Sequence, residues 1–244
     1  MSAVGPGPGA RAARDRLIVA LDTPDPAAAE ALVDRLAGIV THFKVGSVLF
    51  TAAGPAAVEM VRKRGARVFL DLKYHDIPAT VAGAVEAAVR LGVGLLTVHA
   101  SGGAAMLKAA AAASQPGGDA RPRILAVTVL TSLDRAALHW EIGVPVAVEG
   151  HAAHLALLAR AAGCDGVVAS PREAGRLRAL LGPGTLIVTP GIRPAGGRAD
   201  DQARIATPAA AIRAGADYLV VGRPITEAVD PVAAANAVLA EIPA

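Results

Sequence analysis

The sequence predicts an α/β protein built as a single (β/α)8 barrel of the TIM type, and three observations lead to this prediction. Eight short runs rich in β-branched and aliphatic residues alternate with longer, alanine-rich segments of helical spacing. The chain has 244 residues, a length at which one such barrel is common. No G-x-G-x-x-G turn follows the first run, which disfavours the alternative, a doubly wound open sheet.

The predicted elements alternate strictly along the chain. The predicted strands are residues 16–22, 42–46, 67–73, 94–100, 123–132, 165–170, 185–191 and 218–224. The predicted helices are residues 26–37, 55–64, 78–91, 103–113, 150–162, 171–181, 207–214 and 225–241. Such alternation is typical of parallel strands joined by crossover helices. One barrel domain is therefore expected over residues 16–244, after a disordered tail over residues 1–15 that is rich in Gly, Pro, Ala and Arg.

The composition indicates a globular protein with a large core, because 53% of the residues are hydrophobic and 18% are charged. The longest apolar stretches have only strand length, so no membrane span is predicted. The formal net charge of +3 is mild, and six aromatic residues leave little material for base stacking. We therefore expect neither a nucleic-acid partner nor a membrane partner.

The N-terminal segment and the single cysteine favour the cytoplasm. Residues 1–16 lack the continuous apolar region of a secretory signal, and their three arginines leave a transit peptide as the weaker alternative. Cys164 is the only cysteine, which excludes an internal disulfide framework and fits a reducing compartment.

Polar side chains lie at or just past the C-terminal end of nearly every predicted strand. Because the carboxyl ends of the strands meet at one face of a barrel, where active sites lie, these residues predict a site. They are Asp22, Lys44, Asp71, Lys73, His99, Thr131, Ser132 and Arg223, and the apolar Pro190 follows the seventh strand at the same face.

The stretch "FLDLKYHDIPATV" (69–81) holds the densest charge in this set. Asp71 and Lys73 are two positions apart on a strand, so both are expected to point into the barrel mouth, where unpaired charges would be costly. Lys44 ends the neighbouring strand, and we expect it to contact Asp71. Asp76 has a structural alternative as the N-cap of the helix that begins at Pro78. His75 is interpreted as a loop residue.

Two further observations concern charge. Only four of the 24 basic residues are lysines, and two of these, Lys44 and Lys73, end apolar runs. A lysine can give up a proton at accessible pH, whereas an arginine does not. Asp22, in "ALDTPD", has two open interpretations: it caps the helix near Pro26, or it accepts hydrogen bonds from a sugar hydroxyl.

The exits of the last two strands predict a phosphate site. "VTPGIRP" and "VVGRPIT" are glycine-containing turns that carry Arg193 and Arg223, and the loops after strands seven and eight form the usual phosphate cradle of these barrels. Gly222 lets the backbone approach a ligand. The polar segment 191–208 is predicted to be a closing lid, with a plain connector as the alternative. No spacing of His, Cys, Asp or Glu indicates a metal site.

Seven segments, taken together, resemble the bacterial type of orotidine 5′-monophosphate decarboxylase. They are "ALDTPD", "FKVG", "LDLKYHDIPATV", "VTVLTS", "VTPGIRP", "DDQARIATP" and "VVGRPIT", and the likeness runs from about Arg16 to the C-terminal helix. Asp-x-Lys-x-x-Asp alone is shared with related sugar-phosphate enzymes, whereas "HDIPATV" together with the paired phosphate motifs is far more specific. Tyr74 and Ala79 replace an expected Leu and Asn, and the charged positions are intact.

The resemblance implies decarboxylation of orotidine 5′-monophosphate to UMP, the last step of pyrimidine synthesis, without metal or cofactor. It implies that Lys73 protonates C6, that Asp71 lies beside the departing carboxylate, and that Lys44 orients Asp71 and contacts the ribose. It also implies a homodimer with shared sites, in which Asp76, Ile77 and Thr80 enter the partner's site. The other implied substrate contacts are Asp22 with the ribose, Thr131 and Ser132 with the pyrimidine, and Pro190, Arg193, Gln202, Gly222 and Arg223 at the phosphate end.

Two rival functions differ in testable ways. A barrel of the same descent could act on a β-keto or hexulose sugar phosphate with Mg²⁺, but such an enzyme needs extra carboxylate ligands beside the cluster. A non-catalytic sensor of phosphate ligands would have no reason to place Lys73 between two acids. It would still bind its ligand after Lys73→Ala.

Overall fold

The computed structural model describes residues 12–194 and 205–243, and in them eight parallel strands close into a barrel. Each strand pairs with its neighbours in the sequence, and β8 pairs with β1 to complete the ring. The strands are β1 (Leu17–Ala20), β2 (His42–Gly46), β3 (Arg67–Tyr74), β4 (Leu95–His99), β5 (Arg123–Val127), β6 (Gly166–Val168), β7 (Leu186–Thr189) and β8 (Tyr218–Val221). The predicted barrel is confirmed.

The helices surround the barrel and connect its strands. They are α1 (Ala13–Arg16), α2 (Pro26–Leu36), α3 (Ser47–Ala53), α4 (Pro55–Lys63), α5 (Pro78–Leu91), α6 (Gly103–Ser114), α7 (Arg135–Trp140), α8 (Val148–Ala161), α9 (Pro171–Leu181), α10 (Pro208–Arg213), α11 (Arg223–Thr226) and α12 (Pro231–Ala240). Short 3₁₀ turns at Ala100–Gly102 and Gln115–Ala120 flank α6. In the described ranges, none of the helices has both the length and the apolar character needed to cross a bilayer.

Several boundaries differ from the prediction. The fifth strand ends at Val127 rather than at residue 132, because its partner β6 ends at Val168; the N–H and the hydroxyl of Thr128 both donate to the carbonyl of that residue. The last predicted helix is two helices. Asp230 accepts hydrogen bonds from the first amides of α12, and Pro231 starts that helix anew. Helices α1, α3 and α7 are additional to the prediction.

The apolar core has two layers, on opposite faces of the strands. Ile18, Phe69, Leu125 and Val188 fill the barrel interior, and a larger cluster packs the outer faces of the strands against the helices. Phe69 is 1% exposed, and burying a side chain of this kind stabilises the fold by roughly 1.5–3 kcal/mol. Because apolar side chains fill the interior, the predicted charged residues lie at the C-terminal mouth of the barrel.

Two carboxylates, one buried and one largely so, anchor neighbouring strands at their starting ends. Asp165, just before β6, accepts from the backbone N–H of Ile124 at 2.8 Å and from both terminal nitrogens of Arg121 at 2.8 and 2.6 Å. Asp217, just before β8, accepts in the same way from the N–H of Ile187 at 2.8 Å. Each carboxylate thus replaces a missing ladder acceptor and ties two strands together.

Candidate active site

A cavity of about 450 Å³ opens at the C-terminal ends of the strands, where the sequence predicts a site. Apolar side chains from β5 and β6, among them Val127 and Val168, form part of its wall. The predicted site residues that line it are Asp22, Lys44, Asp71, Lys73, Thr131, Pro190, Arg193, Gly222 and Arg223. Strands widely separated in sequence therefore contribute to one chamber.

Four charged side chains form a continuous chain along one wall. Lys44 Nζ lies 2.7 Å from Asp22 Oδ1 and 3.6 Å from Asp71 Oδ2. Lys73 Nζ donates to the same Asp71 Oδ2 at 2.8 Å. The side chains of Lys44 and Asp71 are 10% and 11% exposed, against 34% for Lys73. The predicted contact between Lys44 and Asp71 is present, and two ammonium groups share one carboxylate oxygen.

Asp71 is ionised in this setting. Burial raises the pKa of its carboxyl group, but the charges of Lys44 and Lys73 and the hydrogen bonds from Lys73 and Thr97 outweigh that effect. The net result is a pKa below the ordinary value for aspartate. The cavity therefore presents a fixed negative charge flanked by two positive ones.

The structure decides between the two interpretations of Asp22. Helix α2 is capped by Asp25, whose side chain accepts from the N–H of Ala27 at 2.9 Å. Asp22 instead pairs with Lys44 at the cavity wall, and its side chain remains 54% exposed. The capping interpretation of Asp22 is wrong, and its carboxylate has surface left to meet a ligand.

Lys73 has an unusual backbone. Its φ is +51°, the left-handed region, and within 12–194 and 205–243 no other non-glycine residue has a positive φ. The pairing of β3 with β4 shifts register between Leu70 and Tyr74, so the strand bulges here. Asp71 and Lys73 thus reach the same cavity through a bulge rather than through the regular alternation that the sequence suggested.

Thr97, on β4, is a site residue that sequence reasoning missed. It is fully buried, its hydroxyl donates to Asp71 Oδ1 at 3.0 Å, and its oxygen accepts the backbone N–H of Lys73 at 2.9 Å. The available signal was a lone hydroxyl inside the apolar run "LLTVH". Thr226 and Glu227, which also line the cavity, were not singled out either.

The loop after β3 and the first turn of α5 carry the residues predicted for a partner's site. Asp76, Ile77 and Thr80 are exposed and do not line the cavity of their own chain, and Ile77 is 66% exposed. Asp76 accepts from the N–H of Ile77 at 2.6 Å, while the N-cap of α5 is Ile77 itself, without a side-chain cap. The N-cap interpretation of Asp76 is therefore wrong.

His75 and His99 lie together beside the cluster. Their ring centroids are 5.4 Å apart. Burial, followed by the electrostatic interactions with His75 and Lys73, lowers the pKa of His99 below its ordinary value. Neither histidine lines the cavity. His99 is therefore a neutral flank of the site near neutral pH.

Arginines and glycine-containing turns after β7 and β8 also line the cavity. Arg193 is 6% exposed and donates to the carbonyl of Ile192, while Arg223 opens the short helix α11 directly after Gly222. Gly191, with a φ of +78°, forms the turn after β7. The cavity lining thus includes two arginines in addition to the charge cluster.

Some predicted residues stand apart from this arrangement. Ser132 is exposed and does not line the cavity. Gln202 and most of the predicted lid lie outside the described residues. In the part of the chain that is described, no three side chains of His, Cys, Asp or Glu form a group suited to a metal ion.

Comparisons with known proteins all lead to one enzyme family. A family model described as "Orotidine 5'-phosphate decarboxylase / HUMPS family" matches residues 15–238. Orotidine 5′-phosphate decarboxylase of Moorella thermoacetica is 62% identical over 94% of this chain and 93% of that protein. The enzyme of the same name from Halorhodospira halophila is 57% identical over 94% of this chain and 96% of its own. A crystal structure of orotidine 5′-phosphate decarboxylase from Lactobacillus acidophilus superposes with a TM-score of 0.84 at 38% identity, covering 94% and 100% of the two chains.

Proposed function

Because the chain belongs to the orotidine 5′-phosphate decarboxylase / HUMPS family, we propose that it is a carboxy-lyase that converts orotidine 5′-monophosphate to UMP and CO₂. The observation that carries this proposal is the Asp71 carboxylate held between two lysine ammonium groups in a chamber that Arg193 and Arg223 also line. A substrate with a carboxylate at one end and a phosphate at the other matches this distribution of charge.

The charge cluster suits a reaction that replaces a carboxylate with a proton. A substrate carboxylate placed beside Asp71 is repelled by it, and the repulsion ends when CO₂ leaves. The C6–carboxyl bond breaks, its electron pair remains on C6, and Lys73 Nζ donates a proton to that carbon. Water then returns a proton to Lys73. Lys44 holds Asp71 in place, and no step needs a metal or a cofactor.

The remainder of the chamber supplies binding energy far from the reacting carbon. Arg193 and Arg223 offer guanidinium groups suited to phosphate oxygens, and Gln202 and Gly222 are proposed to complete that contact. Asp22 is proposed to accept the ribose hydroxyls. The other proposed contacts are Thr131, Ser132 and Pro190. Binding energy from the phosphate is available to close the site and exclude water around the charges.

We propose that two copies of the chain share their sites. The supporting observation is that Asp76, Ile77 and Thr80 are exposed outside their own cavity, although they follow directly after the catalytic strand. A two-fold dimer would bring Asp76 of the partner subunit beside Lys73. We also propose that residues 16–244 act as one catalytic domain after the tail 1–15, and that the enzyme works in the cytoplasm.

The test is turnover without metal. Purified protein is incubated with orotidine 5′-monophosphate and EDTA, and loss of the pyrimidine ultraviolet band is followed. We expect conversion to UMP by the wild type and none above background by Lys73→Ala. Turnover that needs Mg²⁺, on a hexulose sugar phosphate instead, would move the chain to the other branch of its family. Binding without turnover would indicate a sensor.

A further inference from the structure

We propose that Thr97 is a positioning residue for proton transfer: its hydroxyl holds the Lys73 backbone and the Asp71 carboxylate in the arrangement that the reaction needs. The inference rests on the proposed function for its kinetic consequences. The geometric part of the inference, that Thr97 places Lys73 relative to Asp71, does not depend on which substrate the protein uses. Thr97 itself does not line the cavity, so it acts through the other two residues.

The two hydrogen bonds of Thr97 have a fixed direction. A backbone N–H only donates, so the 2.9 Å contact from the N–H of Lys73 uses a lone pair of the Thr97 oxygen. An ionised carboxylate only accepts, so the single hydroxyl proton goes to Asp71 Oδ1 at 3.0 Å. One buried hydroxyl therefore links the backbone of one charged residue to the side chain of the other.

The backbone of Lys73 needs such a partner. A non-glycine residue at a φ of +51° is strained and persists only where the surroundings hold it. The register shift between Leu70 and Tyr74 removes regular ladder pairing at this point of β3. The Thr97 oxygen accepts the N–H of Lys73 there, in place of a strand carbonyl.

The carboxylate of Asp71 is oriented by the same hydroxyl. Its Oδ2 is held by Lys73 at 2.8 Å and by Lys44 at 3.6 Å, and its Oδ1 by Thr97. Contacts on both oxygens prevent the carboxylate from rotating. Because Thr97 is β-branched and fully buried on the adjacent strand, its own χ1 is restricted. The support is therefore rigid, as accurate placement of a reacting proton requires.

The kinetic test uses variants that separate the hydroxyl from the shape of the side chain. Thr97→Val keeps the shape and removes both hydrogen bonds, and we expect kcat to fall by about 10- to 100-fold. KM for orotidine 5′-monophosphate and the affinity for UMP should change by less than about twofold, because the phosphate and ribose contacts lie elsewhere. Thr97→Ser restores the hydroxyl and should recover most of kcat.

A matched control is Thr185→Val, which removes a buried hydroxyl that donates to the carbonyl of Leu181, away from the cavity. It should keep kcat. If Thr97→Val proves unstable, Thr97→Ala serves in its place, because it leaves room for a water where the hydroxyl was. We then expect kcat to decrease in the order wild type, Thr97→Ser, Thr97→Ala. A valine variant with wild-type kcat, or a serine variant as slow as valine, would overturn the inference.

A crystal structure of Thr97→Val separates failure of this inference from failure of the proposed function. We expect the φ of Lys73 to leave the left-handed region and its Nζ to move away from Asp71. An unchanged Lys73 would refute the positioning role even in an active enzyme. If the wild type does not decarboxylate the substrate, the proposed function fails, and a displaced Lys73 in the variant would still support the role of Thr97.

Discussion

Gly46 makes space for the charge cluster at the end of β2. A Cβ atom added there would lie 2.8 Å from Lys44 Nζ and 3.1 Å from Asp22 Oδ1. Its φ of −94° and ψ of −178° are open to any residue, so the glycine is required by close approach and not by backbone conformation. The contact between Lys44 and Asp22 therefore depends on a missing side chain.

Gly46→Ala should lower activity with little effect on stability. The ammonium group ends a flexible side chain and moves aside cheaply, but it then loses its 2.7 Å contact with Asp22. We expect kcat/KM to fall by about tenfold, since small displacements in a catalytic cluster are costly, while the urea midpoint stays nearly constant. Gly150→Ala, where an added Cβ meets nothing within 4 Å, is the matched control. Full activity in Gly46→Ala would mean that the Lys44–Asp22 contact is dispensable.

At the scale of single residues, the sequence indicated which charged residues belong to the site but not which side chains contact them. Lys44, Asp71 and Lys73 were predicted to be site residues because a charged residue at the end of an apolar strand usually has a functional role. Thr97 was missed because a threonine inside a strand is ordinary. Its role becomes visible only when β4 lies beside β3.

Elements of the barrel are tied together at their starting ends by carboxylates with little solvent exposure. Asp165 links β5 to β6 through the N–H of Ile124 and the guanidinium of Arg121, and its side chain is 10% exposed. Burial raises the pKa of Asp165, but the bonds from Arg121 and Ile124 dominate, and the pKa lies below the ordinary value. The folded state therefore favours the ionised carboxylate.

Asp165→Asn should destabilise the barrel in a pH-dependent way. At pH 7 we expect the free energy of unfolding to fall by about 1.5–3 kcal/mol, the usual worth of hydrogen bonds to a charged group. Because the folded pKa is below the unfolded value of about 4, the stabilisation is complete above pH 4 and is lost as the pH falls through the folded pKa.

Urea unfolding of wild type and variant at pH 7 and near pH 3 checks this expectation: the difference between them should shrink in acid. Asp34→Asn, at an exposed pair with Arg64, is the control and should change stability much less. A difference that stays constant with pH would show that the charge of Asp165 does not matter.

The element predictions were most accurate where a local signal marked the boundary. Helix α5 was predicted as observed, from Pro78 to Leu91, because a proline starts it and Gly92 ends it in the left-handed conformation. The fifth strand was predicted too long, since "VTVLTS" continues the β pattern after the pairing with β6 has ended. Hydrophobic pattern cannot reveal where a neighbouring strand stops.

For the whole molecule, sharing of sites between subunits can be tested by mixing inactive variants. We expect Lys73→Ala and Asp76→Asn each to be nearly inactive. A mixed dimer contains one Lys73→Ala subunit and one Asp76→Asn subunit. One of its two sites lacks both the Lys73 ammonium and the Asp76 carboxylate, and the other site has both. Random reassociation should therefore restore about a quarter of wild-type activity per subunit, as two-fold symmetry requires.

The mixed dimers would be formed by co-refolding or co-expression with different affinity tags and then assayed with orotidine 5′-monophosphate. Mixtures of either variant with Gly150→Ala serve as the control for reassociation. Failure of the two variants to complement, with dimers present, would place the Asp76 function within its own subunit.

The alternation of strands and helices along the chain was sufficient to predict the closed barrel and the end of it at which polar side chains lie. This is because hydrophobic periodicity and connection length are properties of short segments of sequence. Which atoms meet was decided only by tertiary structure. The bonds of Lys44 to Asp22 and of Thr97 to both charged residues of the β3 bulge depend on the register between β1, β2, β3 and β4. That register is set by packing throughout the barrel, and no single segment of sequence contains it.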